Sequence, residues 1–376
     1  MKKNYKNEKI DIIIPAYKAQ GTILRTLSSI ACQSIIDDLT VTIVNDCCPN
    51  GDYSKFVDMF KPFMNIREIK MQKNGGPGQA RQYGIDNTSN QYFTCIDADD
   101  TFSGAFALEI LRTGINLNPT IQCCVGTFTQ LGENLQMIEH ENDMVWMFGK
   151  LYKREFIDRY KIRFNSTRAN EDTGFNTIVR LLCTNNPNEI VHWIKENVYY
   201  WHEKVDSITR INDGQYSFDQ SFCGWTDNMI YAIETARKVQ PFNGYIDQWT
   251  LECMIQLYSY YIETVARNPV FADQNWEYVK KFYHQAYKKI EHHITEETFA
   301  FAYSSVMQGK HMGGSMLGIV PCMGIREFME KVKNEPYDEN HIFEVWKSLP
   351  RELIENNEKC GVCPKGYTEY KNEKHT

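Results

Sequence analysis

The chain has 376 residues, a length that fits one main domain and a second unit. Its formal net charge of −7 argues against bulk attraction to nucleic acid or anionic lipid, although a local basic patch is compatible with that charge. The sequence contains no run of about 18 apolar residues, so it predicts no transmembrane helix. The polar, lysine-rich start does not resemble a signal peptide. We therefore expect a cytoplasmic protein with no transmembrane segment.

The 12 cysteines are scattered along the chain, and several lie in apolar runs, which predicts buried free thiols: Cys95, Cys183 and Cys253. Cys360 and Cys363 form a single CxxC pair. Because no second pair or His pair stands at a suitable spacing, this pair is at most half of a zinc site.

Strands and helices alternate through the first half of the chain. Apolar, β-branched runs predict four strands, at residues 10–15, 39–44, 66–71 and 92–96. Three- and four-residue spacing of apolar residues predicts a helix at residues 23–31. We expect further helices at residues 53–60 and 79–87, the last one opened by the glycine-rich segment 75–78. This alternation predicts an α/β fold with a parallel, doubly wound sheet, which binds ligands beyond the carboxyl ends of its strands. Three polar segments stand at such ends: residues 45–46, 74–78 and 97–100.

Helical periodicity replaces the strands from about residue 213 onward. Aromatic and aliphatic side chains recur at helical spacing in two stretches, around residues 254–265 and 276–290, and such stripes are typical of a core. We expect an α/β domain over residues 1–212 and a helical region over residues 213–376, with a frayed tail after about residue 356.

Three carboxylates crowd together directly after the fourth predicted strand, at Asp97, Asp99 and Asp100. Like charges this close raise one another's cost of ionisation, and a divalent cation such as Mg²⁺ or Mn²⁺ relieves that repulsion. The alternative is an ordinary turn from a strand into a helix, with Asp100 or Thr101 as the N-cap.

Six segments in this order resemble the inverting family 2 glycosyltransferases of bacterial cell-surface polysaccharide and teichoic-acid type. They are residues 11–17 (DIIIPAY), 44–51 (VNDCCPNG), 74–84 (NGGPGQARQYG), 97–100 (DADD), 149–173 (GKLYKR to NEDT) and 199–210 (YYWH to SITR). Lys18, Asn45 and Cys48 depart from the residues usual in that family. The resemblance implies the GT-A fold and a hexosyl- or N-acetylhexosaminyl-transferase that uses a nucleotide-diphosphate sugar, most simply a UDP-sugar.

The resemblance also implies roles for particular residues. The nucleotide-sugar ligands would be Pro15, Tyr17, Asp46, Asn74, Gly76, Arg81, Asp97, Asp99, Ser207 and Arg210. Asp46 would read the base, and Asp97 would face the ribose or share the metal. Ser207 and Arg210, together with Thr209, would hold the diphosphate on a mobile loop. Mn²⁺ or Mg²⁺ would be bound by Asp99, Asp97 and His202.

Each of these assignments has a structural alternative. Asp46 suits an Asx turn, the glycine-rich segment at 74–78 suits a tight turn instead of an anion cradle, and Arg81 suits an ion pair. His202 suits a hydrogen-bonded structural role. Three aromatic residues that could stack on sugar rings fit core packing as well: Trp146, Phe148 and Trp201.

A second carboxylate pair, Glu171 and Asp172, precedes a predicted helix over residues 173–182. Inversion requires a general base for the acceptor hydroxyl, and the resemblance assigns that role to Asp172, with Glu171 positioning the acceptor or the loop. The alternative is stabilising charge at a helix N-terminus.

The resemblance makes residues 1–212 the expected catalytic domain, which binds the nucleotide-sugar. The helical region over residues 213–376 is expected to bind the acceptor or to form a homo-oligomer. The acceptor is expected to be a surface glycan or polymer, and protein or modified DNA is the alternative. A nucleotidyltransferase on the same fold and a non-catalytic binding protein are rival functions. Nucleic acid is the least favoured partner, because the chain is acidic.

Overall fold

The computed structural model describes residues 6–49, 51–132, 136–184, 186–203, 223–239, 250–258, 274–307 and 325–333. The chain forms two compact units, residues 1–211 with 235–241 and residues 212–234 with 242–376. The roles expected for the two parts of the chain remain predictions.

Within the described residues, nine strands of the first unit form a single sheet, in the order β3-β2-β1-β4-β8-β6-β9-β5, with β7 paired to β6. The strands are β1 (Lys6–Ala16), β2 (Leu39–Asn45), β3 (Asn65–Lys70), β4 (Asn90–Cys95), β5 (Thr101–Phe102), β6 (Ile121–Leu131), β7 (Met137–His140), β8 (Lys150–Lys153) and β9 (Ile190–His202). The helices that flank them are α1 (Ile23–Ala31), α2 (Ser54–Phe60), α3 (Pro77–Asp86), α4 (Ala107–Asn116), α5 (Arg154–Arg159) and α6 (Glu171–Thr184).

The first four strands are parallel, as predicted. The other half of the sheet is mixed, because β8 runs antiparallel to both β4 and β6 whereas β9 runs parallel to β6. The two-residue strand β5 pairs antiparallel with β9 directly after the acidic cluster. The alternative in which that cluster turns into a helix is therefore wrong: α4 begins only at Ala107, and its N-cap is Phe106.

The apolar run of β1 is covered on both faces, which explains why it lacks alternation. Ile12 and Ile14 are buried with Leu27 of α1 in one cluster. On the opposite face α3 lies close to the sheet at Gly84, where a Cβ atom would stand 2.4 Å from Cγ2 of Ile13. This close approach holds α3, and with it Arg81, beside the end of β4.

Arg154 ties together chain segments that are far apart in sequence. Its buried guanidinium donates to Oδ2 of Asp11 at 2.9 Å and to the carbonyl oxygens of Asn90 and Ile85 at 2.7 and 2.9 Å. Asp11 also accepts two hydrogen bonds from Asn90. Because this cation and carboxylate are both buried, loss of either one leaves an uncompensated charge in the interior.

The second unit is helical in its described residues, as expected. Its helices are α8 (250–258), α9 (Trp276–Ile290), α10 (Glu296–Met307), α11 (Ile325–Lys333) and residues 224–234 of α7 (Gly224–Val239), whose last turn is counted with the first unit. The stripes of α8 and α9 form a core, as predicted, and their buried members include Met254, Leu257, Val279, Tyr283, Ala286 and Ile290. The predicted stripe residues 261, 262 and 265, the tail after residue 356, Cys360 and Cys363 lie outside the described residues.

Two further expectations concern thiols and membranes. In the described part of the chain, Cys95, Cys183 and Cys253 are buried free thiols, as predicted. Among the described helices, none has both the length and the apolar character needed to cross a membrane.

Replacement of Arg154 by Ala is expected to lower the free energy of unfolding by about 3–5 kcal/mol, because it strands the buried carboxylate of Asp11. Urea unfolding followed by circular dichroism measures this loss. The matched control is Arg163→Ala, which removes an exposed pair with Asp86 and should cost about 1 kcal/mol or less. Equal losses in the two variants would contradict the structural role of Arg154.

Candidate active site

The polar segments that follow β1, β2, β3 and β4 meet at one edge of the sheet, as the parallel topology predicts. The backbone N–H of Asp46 donates to the carbonyl of Ala16 at 3.0 Å, which joins the ends of β2 and β1. Asn74 donates to Oδ2 of Asp46 at 2.9 Å, and Arg81 donates to Oδ1 of Asp97 at 2.6 Å. Among the candidate residues, Pro15 lies at the half-buried end of β1 and Tyr17 is exposed beside it.

The carboxylate of Asp46 holds the glycine-rich turn. Its oxygens accept hydrogen bonds from the backbone N–H groups of Gly75 and Gly76 at 2.7 and 2.9 Å, in addition to the bond from Asn74. These backbone amides therefore donate to Asp46, which is the tight-turn arrangement that the sequence analysis held as the alternative, and a contact of Asn74 or Gly76 with a ligand stays a prediction. Gly76 adopts a φ of +81°, a conformation that favours glycine and lets the chain turn into α3. Asp46 uses three of about four acceptor positions in this way, which leaves about one for a further donor.

Within the acidic cluster, Asp100 is the buried member. It accepts hydrogen bonds from the Tyr199 hydroxyl at 2.7 Å and from the backbone N–H of His202 at 2.8 Å. Burial, together with the charges of Asp97 and Asp99, raises the pKa of Asp100 well above its usual value. Asp100 therefore fastens the cluster to β9, while Asp97 and Asp99 are only half-buried.

Helix α1 supports the same cluster through two residues that the sequence analysis did not single out. Arg25 donates to the backbone carbonyl of Asp99, and the hydroxyl of Thr26 donates to the carbonyl of Asp100 at 2.8 Å. Both contacts reach backbone atoms 74 positions away in sequence, so no local spacing predicts them. Arg25 consequently adds a positive charge beside the acidic cluster.

His202 lies at the end of β9, next to this cluster. Its Nε2 is 3.0 Å from the hydroxyl oxygen of Thr101. Burial and the nearby Arg25 lower the pKa of His202 to about 4, so its imidazole is neutral near pH 7. The structure thus shows the hydrogen-bonded arrangement that the sequence offered as the alternative, and a role in metal binding stays a prediction.

Arg81 connects the acidic cluster after β4 to the carboxylate pair of Glu171 and Asp172. Its buried guanidinium donates to Asp97 at 2.6 Å through Nη2 and to Glu171 at 2.7 Å through Nη1. The ion pair that the sequence analysis held as an alternative for Arg81 is therefore present. It links the acidic cluster after β4 to the N-terminus of α6, segments that only tertiary structure brings together.

The carboxylate pair begins α6, as the alternative interpretation of helix-terminal charge also expects. Gly78 allows the pair to approach α3 closely, since a Cβ atom at this position would lie 2.4 Å from Cγ of Glu171. Asp172 accepts a hydrogen bond from the backbone N–H of Thr173 at 2.8 Å. Burial and the neighbouring Glu171 raise the pKa of Asp172 to about 7, against the opposing effect of Arg81. Near neutral pH, Asp172 can therefore accept or release a proton.

The candidate sugar-stacking rings pack against one another. Phe148 stacks on Tyr199 with ring centroids 5.0 Å apart, and Trp146 lies 6.0 Å from Trp201. Phe148 is buried, which supports core packing for this ring, while Trp146 and Trp201 are partly buried beside it. The predicted residues Ser207, Thr209 and Arg210 lie outside the described part of the chain.

The number of protein side chains available as ligands limits how a metal ion could bind here. Over the ranges that the structure describes, no three His, Cys, Asp or Glu side chains are grouped closely enough to hold a metal ion by themselves. Mg²⁺ is commonly bound through only one or two carboxylates, with substrate phosphates and waters supplying the other ligands. Asp99 and Asp97 match that smaller requirement.

Residues 11–170, which include the acidic cluster after β4, match the model of Glycosyl transferase family 2. Over these residues the match agrees with the resemblance to a family 2 glycosyltransferase domain that the sequence motifs indicate.

Curated bacterial proteins are similar to this chain over a longer stretch than the family model covers. The chain is 28% identical to "Uncharacterized glycosyltransferase EpsJ" of Bacillus subtilis, over 54% of this chain and 63% of that one. It is 23% identical to "Teichoic acid poly(glycerol phosphate) polymerase" of Staphylococcus epidermidis, over 62% of this chain and 34% of that one. It therefore spans less than two thirds of the length of either relative.

Solved structures share the fold. The crystal structure of S. aureus TarS 1–349 in complex with UDP-GlcNAc has a TM-score of 0.64 and 13% sequence identity, and the match covers 94% of this chain and 92% of that one. The structure of the same TarS fragment with UDP has a TM-score of 0.61. At this identity the likeness concerns the fold alone, and it confirms the predicted GT-A fold.

Proposed function

We propose that this chain is a metal-dependent, inverting glycosyltransferase that moves a sugar from a UDP-sugar to a hydroxyl group of a surface polymer. The observation that carries this proposal is the connection of the acidic cluster to the carboxylate pair through Arg81. The acidic cluster suits the diphosphate end of a sugar donor, and the carboxylate pair suits the activation of an acceptor hydroxyl. Glycosyl transfer needs both functions side by side.

The donor is proposed to lie along the polar edge of the sheet. The position that Asp46 retains for a further hydrogen bond suits an N–H donor on a base edge, and Tyr17 is exposed next to it. The TarS complexes contain UDP-GlcNAc and UDP, which supports a uridine nucleotide here as well. The proposed remaining contacts with the donor involve Pro15, Asn74, Gly76, Arg81, Asp97, Asp99, Ser207 and Arg210.

Asp99 and Asp97 are proposed to hold Mn²⁺ or Mg²⁺ together with the donor's diphosphate, with His202 as a further candidate ligand. A bound divalent ion would neutralise the charge that develops on the leaving nucleotide diphosphate. Arg25 fixes the backbone at Asp99, and Tyr199 with His202 fixes Asp100, so this turn is held in one geometry before any ligand arrives.

Asp172 is proposed as the general base. Its raised pKa makes it a better proton acceptor than an ordinary carboxylate while part of its population stays ionised at neutral pH. It would take the proton of the acceptor hydroxyl as that oxygen attacks the anomeric carbon from the face opposite the leaving group. Glu171, anchored by Arg81, keeps the first turn of α6 and thus Asp172 in place.

A phosphate-bearing surface polymer is the proposed acceptor class, and the teichoic acid polymerase among the relatives supports it. Protein or modified DNA is the alternative acceptor. A nucleotidyltransferase is the rival reaction, and it would release pyrophosphate instead of UDP. Product identification after incubation with UDP-sugars and Mn²⁺ separates the two reactions.

The variant Asp172→Asn is expected to bind UDP-sugar with unchanged affinity and to lose at least about a hundredfold in UDP release with acceptor, because its side-chain amide cannot accept the proton. Calorimetry measures donor binding, and a coupled assay measures released UDP. The control Asp37→Asn alters an exposed carboxylate of the same unit and should keep full activity. Full turnover by Asp172→Asn would exclude this residue as the base.

Metal binding is expected to depend on the donor, because the described carboxylates alone do not form a complete ligand set. Electron paramagnetic resonance of Mn²⁺ should show weak binding to the protein alone and at least about tenfold tighter binding once UDP is added. Asp99→Asn should abolish the UDP-dependent part. Equal Mn²⁺ affinity with and without UDP, or an intact response in Asp99→Asn, would contradict the proposed site.

A further inference from the structure

The second unit contains a cavity of about 660 Å³ that neither the family match nor the proposed reaction assigns. Residues 223 and 227 line one side, and the face of α9 from Tyr278 to Lys289 lines the other. All of these residues belong to the second unit. We propose that this cavity binds phosphate groups of a polymeric acceptor, a polyol-phosphate chain. The role of this polymer as a sugar acceptor rests on the proposed function, whereas its binding to the cavity does not.

Three lysines carry the charge of this cavity. Lys281, Lys288 and Lys289 are exposed on one face of α9 and line it. Lys281 and Lys288 are seven residues apart, which places them two helical turns and about 10 Å apart along the axis. A row of cations at this spacing suits an extended chain with repeated anionic groups better than it suits a single small anion. It also stands out in a chain whose net charge is −7.

Carboxylates offset only part of this charge. Asp227 on the facing side is 4.0 Å from Lys289, and Glu291 is 3.3 Å from Lys288. Burial raises the pKa of Asp227, and the nearby Lys289 opposes this shift. Within the described ranges Lys281 forms no ion pair, so the three ammonium groups face two carboxylates and the cavity keeps a positive balance.

Aromatic rings complete the lining. Tyr278 is 43% exposed, whereas Phe282, one turn farther along α9, is buried and contributes to the wall of the cavity. An exposed ring such as that of Tyr278 can pack against the C–H face of a sugar or polyol, while the lysines contact phosphate oxygens as point charges. The combination favours a polymer in which polyol and phosphate units alternate. Binding one stretch of such a chain raises the effective concentration of its other hydroxyl groups.

The test uses the full chain and fluorescently labelled, lipid-free poly(glycerol phosphate), with affinity measured by fluorescence anisotropy at two salt concentrations. The triple variant Lys281→Gln, Lys288→Gln, Lys289→Gln should bind the polymer roughly tenfold more weakly and with a shallower salt dependence. The control replaces three other exposed lysines with Gln: Lys61, Lys195 and Lys238. It loses the same charge and should change the affinity less than about twofold.

Two results would overturn the proposal. Equal weakening in the control would show a non-specific charge effect, and equally tight binding of single-stranded DNA with the same number of phosphates would show a general polyanion or nucleic-acid site.

If the triple variant fails to fold, the single variants Lys281→Gln and Lys288→Gln are compared, with about a twofold weakening expected for each. UDP binding is measured in parallel. If the wild type does not bind UDP but the triple variant loses polymer binding, the proposed transferase function fails and the polymer site stands.

Discussion

The buried guanidinium of Arg81 is the interaction on which the site depends. It contacts Asp97 and Glu171 at hydrogen-bond distance, so it compensates two carboxylates that would otherwise repel each other at the meeting point of β4, α3 and α6. A buried ion pair gains little net stability, because desolvation offsets its attraction, but it is specific in geometry. Here that geometry connects the proposed donor side of the site to the proposed base, Asp172, one residue beyond Glu171.

Much of the family-like sequence builds this frame. Asp11 in the first segment and Arg154 in the fifth form one buried pair, 143 positions apart. Asp46 holds the glycine-rich turn, and Asp100 holds β9. These charged and polar groups are expensive to bury without partners, so each one requires a particular neighbour and thereby fixes the register of the surrounding elements.

The sequence predicted the parallel half of the sheet closely, because β1, β2 and β4 are apolar on both faces and the segments between them have clear helical spacing. It did not resolve β5, which has two residues, or the antiparallel pairing of β8, because such pairings are set by tertiary contacts. The candidate carboxylates were identified from their places at strand ends and at the start of α6. Their partners were not: Arg25 reaches a backbone carbonyl, and Gly75 and Gly76 donate to Asp46, contacts that leave no periodic mark in the chain.

Glu171 and Arg81 are proposed to set the proton affinity of Asp172 for catalysis, because one raises and the other lowers its pKa. The most direct measurement is the pH dependence of kcat for the wild type and for Glu171→Gln, with saturating UDP-sugar, Mn²⁺ and acceptor. Protonated Asp172 cannot accept the acceptor's proton, so wild-type kcat should rise with pH and level off above about 7. Glu171→Gln removes the neighbouring negative charge and leaves Arg81 to act more strongly, so the rise should move to lower pH. A flat wild-type profile, or the same profile in both proteins, would contradict the claim.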